Sequence, residues 1–262
     1  MDIKINQCAI IVSSCDAYFD AWEPFFKLFF KYWSDCPFPI YLISNKKTYP
    51  DSKVKSICIP DDKGWAENLK TALSKIPHSR ILYLQEDYFL ERPVDTAFIE
   101  ALLETMINEN AAYLRLYPAP KPKITWDKNI GIIRKSDPYR TSLQAAFWDK
   151  KILDWLLIYG EAGVPFEKDG SVRSAKIDRL FLCVKKPVFD YLSTGIVKGK
   201  WNRKVVSLFK KEKITADFSQ RPFEPIGDTV KYNLTSLPMI GKIFKQYYRL
   251  QYKIKTLFSQ EN

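Results

Sequence analysis

Histidine is almost missing from this chain of 262 residues: His78 is the only one. Two-histidine metal sites are thereby excluded, and a Ser-His-Asp or Cys-His mechanism would have to run through that single side chain. Glycine is scarce as well, with nine residues, and neither a GxGxxG nor a GxxxxGKS/T pattern occurs, so the usual phosphate-cradling loops are absent. The cysteines (Cys8, Cys15, Cys36, Cys58, Cys183) are odd in number and form no CxxC pair. They read as reduced thiols of a cytosolic protein, mostly core filler. No run approaches the roughly 20 apolar residues of a membrane helix. The apolar run from Cys8 to Val12 is too short for a signal-peptide core and reads as a first strand, so the expected location is inside the cell.

What is present suits a folded protein. Hydrophobic residues make up 46%, charged residues 27% and aromatic residues 15% of the chain, enough for a large core and incompatible with disorder as the main state. The length fits one large domain with an appendage, or two small ones. The net charge is +11, and it is unevenly placed. Residues 198–262 hold 14 Lys/Arg against 5 Asp/Glu, which leaves only about +2 for residues 1–197. Within that tail, Ile240, Ile243, Phe244, Tyr247, Leu250, Ile254 and Leu257 recur at spacings of three and four, with Lys242, Lys245, Arg249 and Lys253 opposite them. This pattern predicts a basic amphipathic helix. Three uses fit such a helix: packing on the domain with its lysines solvated, lying on an anionic membrane surface, or binding nucleic acid. The last is disfavoured because no RNP, zinc-finger or helix-turn-helix signature occurs.

Patterning along residues 8–117 predicts strands at 8–14, 39–44, 55–60, 80–84 and 112–117, with helices at 19–33, 65–75 and 95–108. Their alternation argues for an α/β domain with a mostly parallel sheet. Further on, the readings are an alternating segment TSLQAAFW, a short helix over 151–159, a glycine-containing loop over 160–173 and a helix over 174–182.

The most informative stretch is ILYLQEDYFL, residues 81–90. Glu86 and Asp87 directly follow an apolar strand, and in open α/β sheets ligands bind at the carboxyl ends of strands. Acids placed there meet a diphosphate through a divalent metal, since hard cations bridge carboxylate and phosphate oxygens. The plainer alternative is that one acid caps the next turn and the other pairs with Arg92. Ser13, Ser14, Asp16 and Tyr18 end the first strand and Asn45 ends the second, so they share that edge of the sheet. Asp16 could accept hydrogen bonds from a base or ribose that stacks on Tyr18, and Trp65 opens the helix leading into the acidic strand. Together these residues outline a nucleotide crevice that has no glycine loop.

The series SSCDAY, GWAENLKTALSKIP, ILYLQEDYFL, YRTSLQAAFW, FEKDGSVRSA and IVKGKW resembles the GT-A-fold nucleotide-sugar-dependent glycosyltransferases. More specifically, it is similar to a bacterial family linked to lipopolysaccharide and capsular polysaccharide synthesis, over about residues 5–205. The resemblance implies a Rossmann-type sheet flanked by helices over 1–225, with the basic helical extension at 226–262. It also implies an inverting hexosyltransferase that uses a nucleotide-sugar donor and a lipid-linked saccharide acceptor at the inner face of the cytoplasmic membrane. The DxD triplet of GT-A enzymes is matched here by Gln85-Glu86-Asp87. Asp87 is thus the candidate ligand for Mn²⁺ or Mg²⁺, and the loss of the first aspartate leaves metal dependence open, with Lys198 and Lys200 as the other means of neutralising the diphosphate.

Direct displacement needs a base for the acceptor hydroxyl. The candidate is Glu167, preceded by apolar Val164, Pro165 and Phe166, with Asp169 as its substitute; capping of a turn near Gly170 is the plainer role. Gln144 and Trp148 are expected on the acceptor side, where aromatic rings pack on sugar faces, although Trp148 equally suits the core. Two other functions share these features. A nucleotidyltransferase would normally carry a glycine-rich basic loop after the first strand, which SSCDAYF is not, and a non-catalytic binding module would keep the acids for structure alone.

Overall fold

The computed structural model describes residues 7–192 and 194–225, so the basic extension expected over 226–262 lies outside the described residues. From the amino end the chain forms β1 (Cys8–Ser13), α1 (Phe19–Tyr32), β2 (Ile40–Ser44), β3 (Val54–Cys58), α2 (Trp65–Lys75), β4 (Arg80–Gln85), β5 (Phe89–Leu90), α3 (Thr96–Asn108) and β6 (Tyr113–Arg115). It continues through β7 (Ile124–Thr125), β8 (Ile130–Ile132), β9 (Ala146–Asp149), α4 (Lys150–Leu156), α5 (Gly163–Pro165) and α6 (Ser171–Ser174). The last elements are β10 (Phe181–Val184), β11 (Tyr191–Leu192), β12 (Ile196–Val197), β13 (Lys200–Trp201) and α7 (Lys204–Glu212).

A nine-stranded sheet in the order β3-β2-β1-β4-β9-β6-β10-β8-β7 is the spine. β3, β2, β1 and β4 are mutually parallel, as are β6 and β10, and only β9 and β8 run against the rest. The mixed α/β fold with a mostly parallel sheet is therefore the one the sequence predicts. β1 reads as an unbroken apolar run because both of its faces are covered. Cys8, Ile10 and Val12 face a layer that includes Trp22, Phe25, Phe29 and Trp33 of α1 and its C-cap. Ala9 and Ile11 face the opposite layer, with Ala66, Leu69 and Leu73 of α2. This period of two is the pleat itself.

Two expectations fail beyond residue 159. The predicted helix over 174–182 ends at Ser174, and Phe181–Val184 is instead strand β10, inserted between β6 and β8. All four β10 side chains are buried, and a short apolar run covered on both faces is ambiguous between helix and strand by periodicity alone. The predicted loop over 160–173 is largely helical: a π-turn at Phe166–Gly170 joins α5 to α6. Phe166 is fully buried and anchors this turn against Trp65 and Trp148.

After β10 the chain returns across the carboxyl edge of the sheet. β11 pairs with β5, β12 and β13 form a hairpin, and residues 214–225 pack back onto the α1 layer through Ile214, Ala216, Phe218 and Phe223. This return is locked by a buried ion pair. Arg221 donates from Nε to Asp20 Oδ2 at 2.8 Å and from Nη2 to Asp20 Oδ1 at 2.6 Å. Nη2 also donates to the Ala17 carbonyl, and the guanidinium lies 4.5 Å from the Tyr18 ring centroid. Removing one partner of a buried pair strands the other charge, at a cost of about 3–5 kcal/mol. Asp20→Ala is therefore expected to lower the urea-unfolding free energy by an amount of that order, without change in denaturant slope. A loss under about 1 kcal/mol, the level of an exposed pair, would contradict this role.

Candidate active site

The sheet order reverses direction between β1 and β4, the place where open α/β sheets bind ligands. β1 and β4 are in register along their whole length, ending with Ser13 beside Gln85. The chain leaves both strands at one level, and a cleft of about 630 Å³ opens there. Ser13, Ser14 and Tyr18 after β1, Trp65 of α2, Gln85, Glu86 and Asp87 at the end of β4, and Gln144 and Glu167 all line it. Nine of the residues that the sequence places near a nucleotide or acceptor thus share one concavity.

Glu86 is 8% exposed. Burial raises its carboxyl well above the usual carboxylate range, and the adjacent negative charge of Asp87 raises it further; its own backbone amide and the Arg221 cation act the other way. Burial also pushes Asp87 up, to about 6, against the hydrogen bond that its Oδ2 accepts from the Ile196 amide at 3.1 Å. Two adjacent carboxyls in a poorly solvated cleft cannot both ionise cheaply. Clefts with acids perturbed in this way are where charged ligands and chemistry are found.

The β12 segment is held close to this pair. The Gly195 amide donates to the Asp87 carbonyl at 3.2 Å, and a Cβ on Gly195 would lie 2.3 Å from the Phe89 ring and 2.8 Å from that carbonyl. Only glycine allows this approach. Lys198 and Gly199 are both left-handed in the turn of the β12–β13 hairpin, with Lys200 following, and neither lysine lines the described cleft.

Glu167 is fixed by the segment that leads into β9. Its Oε1 accepts from Ser142 Oγ at 2.9 Å and from the Leu143 amide at 2.8 Å. Among the described residues nothing donates to Oε2. Gln144 Oε1 accepts from Tyr191 Oη at 2.5 Å, and Tyr191 stacks on Tyr88 at 4.6 Å. Trp65 donates from Nε1 to Tyr83 Oη at 3.2 Å. Gly64, with φ of +101°, makes the turn that starts α2 at Trp65.

Besides Lys198 and Lys200, four expected site residues are placed otherwise. The Asp16 carboxylate accepts from the amides of Asn45, Lys46 and Lys47, while the Asp16 amide donates to Asn45 Oδ1. Burial opposes ionisation of Asp16, but these backbone donors outweigh it and hold the acid below its usual range. Asp16 and Asn45 thus clasp the ends of β1 and β2 together, and neither lines the cleft. Trp148 is 1% exposed and packs on Tyr113 at 4.2 Å, so it is core and not a sugar platform. Asp169 faces a neighbouring cavity instead. His78 precedes β4, at the end of the sheet away from the acids. Arg221 is the residue that sequence reading missed: 201 positions from Asp20, it carried no signal beyond belonging to the basic tail.

Among the described residues no group of three or more His, Cys, Asp or Glu is placed to hold a metal ion. Glu86 and Asp87 supply oxygen donors that suit Mg²⁺ or Mn²⁺ only where other oxygens complete the shell, and diphosphate oxygens are of that kind. A separate cavity of about 490 Å³ lies at the amino end of β10, around Arg134, Arg140 and Arg179. Arg134 there is paired with Asp137, and Arg179 with Asp149.

No family model and no curated protein matches the sequence. Solved structures match the fold. UDP-glucose pyrophosphorylase complexed with UDP-glucose superposes with a TM-score of 0.50 at 8% identity, over 78% of this chain and 98% of its own. S. aureus TarS 1-349 in complex with UDP gives 0.49 at 11% identity, over 71% of this chain. This chain spans 59% of the length of that TarS structure. A cytidylyltransferase from Leptospira borgpetersenii serovar Hardjo-bovis gives 0.42 at 8% identity. At such identities the likeness is one of fold.

The acid pair predicts an unusual stability profile. Because the native carboxyls hold their protons more tightly than the unfolded chain does, the stability tied to them is present in acid and is lost as pH rises through about 6. Glu86→Gln removes one ionisation, so the variant is expected to melt higher than the wild type at pH 8 by the equivalent of about 1–3 kcal/mol, with the gap closing near pH 5. A variant that melts lower at both pH values would show that Glu86 does not carry the penalty.

Proposed function

We propose that this chain is a glycosyltransferase that moves a sugar from a nucleoside-diphosphate sugar to a saccharide acceptor by direct displacement. The observation that carries this reading is that Glu86, Asp87 and Glu167 line one cleft at the carboxyl ends of β1 and β4. An acid pair and a separately fixed carboxylate in one cleft match the two needs of such a transfer: handling a diphosphate leaving group, and taking a proton from the attacking hydroxyl.

In this reading the nucleoside enters beside Ser13, Ser14 and Tyr18, where the ring of Tyr18 offers a stacking surface. The diphosphate lies toward Asp87. Mg²⁺ or Mn²⁺ held by Asp87 and Glu86 would supply neutralisation of the diphosphate charge, and Lys198 and Lys200 stand on the hairpin whose Ile196 amide binds Asp87. The acceptor hydroxyl meets Glu167 Oε2, while Ser142 and Leu143 hold Oε1 and so fix the direction of the base. Synthesis of a surface polysaccharide on a lipid-linked acceptor is the setting that the sequence resemblance favours.

A nucleotidyltransferase is the second reading, since UDP-glucose pyrophosphorylase shares the fold. Against it stands the turn after β1, Ser14-Cys15-Asp16-Ala17-Tyr18, which contains no glycine and no cation and whose aspartate is committed to the β2 loop.

A panel of UDP-, GDP- and CMP-sugars, tested by thermal shift with and without Mn²⁺, is expected to contain a stabilising donor, since ligands of the native state raise its melting temperature. With that donor, Glu167→Gln is expected to lower kcat by about 10²–10⁴ while donor affinity holds. Asp87→Asn is expected to weaken donor binding itself. Full activity in both variants, or release of pyrophosphate from UTP and a sugar 1-phosphate, would overturn the proposal.

A further inference from the structure

A second cavity, of about 830 Å³, adjoins the cleft, and Glu167 and Val164 line both. We propose that this cavity is the acceptor site and that it takes a neutral pyranose stacked on the ring of Tyr139. The assignment rests on the glycosyltransferase reading, because it takes Glu167 as the group the acceptor hydroxyl must reach.

Tyr139 is an unusual residue. Its φ is +54°, a left-handed backbone that a bulky side chain rarely adopts, and such strain persists only where the surroundings impose it. Here the surroundings are Arg115, whose side chain is fully buried. Its Nη2 donates to the Tyr139 carbonyl, its Nη1 to the carbonyls of Ala119 at 2.8 Å and Pro120 at 3.3 Å, and its Nε to Tyr113 Oη at 3.2 Å. Each of these acceptors is neutral, so the buried guanidinium is spent on fixing loop carbonyls. The result is a tyrosine whose backbone is clamped while the residue stays 51% exposed at the cavity wall. A rigid aromatic surface with a polar tip is what the apolar face of a sugar ring packs against.

The rest of the cavity fits the same ligand. Val164 and Val172 are 79% and 73% exposed there and present apolar surface. Lys168 and Asp169 contribute one charge of each sign, as Lys135 and Asp137 do on the opposite loop. With Glu167 included, two lysines face three carboxylates, and a lining with so small a net charge beside exposed aromatic and aliphatic surface suits a neutral polyhydroxylated ring better than a phosphate or a peptide of one sign. Asp169, expected as a substitute base, takes the role of a hydroxyl acceptor on this wall. Tyr139 takes the platform role that Trp148, buried in the core, cannot fill.

The test is saturation-transfer NMR on the full chain with UDP and with the methyl α- and β-pyranosides of glucose, galactose, mannose and N-acetylglucosamine. Tyr139→Asn removes the ring while keeping a residue that tolerates the left-handed backbone, and Tyr139→Phe keeps the ring. At least one pyranoside is expected to receive saturation from the wild type and from Tyr139→Phe, with about tenfold weaker binding in Tyr139→Asn. The UDP signal is expected to be equal in all three proteins. UDP signal without any pyranoside signal would overturn the acceptor assignment, as would a pyranoside that binds Tyr139→Asn as well as wild type. Loss of the UDP signal from the wild type would instead overturn the donor reading on which the assignment rests.

Discussion

Two adjacent carboxyl groups at the end of one buried strand set the constraint to which the carboxyl edge of this protein answers. β4 ends beside β1 and delivers Glu86 and Asp87 directly after it, where Glu86 is buried and Asp87 half-buried. A poorly solvated charge must be paired, hydrogen-bonded or neutralised. Each of these responses is present. The Ile196 amide binds the Asp87 carboxylate, Gly195 docks against the Asp87 carbonyl, and the buried Arg221 cation lies within electrostatic reach of both acids. The return of the chain over residues 194–225 is thus tied to the acid pair from above, as the sheet holds it from below. Among the described residues Arg221 is the cation that acts on both acids, short of a full set of counter-charges, and that is the physical reason for assigning a charged ligand to the cleft.

The core half of the fold was legible in the sequence because its signals are local. β1 to β4, α1, α2 and α3 each follow their hydrophobic period closely, and α2 runs from Trp65 to Lys75 as the pattern predicts. The position of the acids at a strand end followed from the same reading. Legibility stopped where identity depends on distant partners. Phe181–Val184 is a strand because β6 and β8 flank it, which no local window contains. Trp148 is core because Tyr113, Phe166 and Phe181 surround it. Asp16 is a clasp for β2 because Asn45, Lys46 and Lys47 turn their amides toward it. In the last two cases the residue type gave the chemistry correctly and only the tertiary neighbours decided whether it served ligand or fold.

The two buried arginines illustrate the same division. Arg221 and Arg115 sit among unremarkable neighbours in the sequence, yet each organises a loop, Arg221 beside the cleft and Arg115 beside the adjoining cavity. Arg221 does so through a carboxylate, Asp20, and Arg115 through neutral oxygens alone. Their charges contribute to the overall +11 without being surface charge, so net charge describes the solvated face and says little about the site.

Hydrogen exchange of the full chain with and without UDP addresses the central claim most directly, because it reports where a nucleotide sits without presuming a reaction. The account predicts slowed exchange at the ends of β1 and β4, in Ser14–Tyr18 and Glu86–Tyr88, and in the Thr194–Val197 segment bound to Asp87. Protection confined to Ile132–Arg134 and Arg179–Phe181, around the arginine-lined cavity at the opposite end of the sheet, would contradict it.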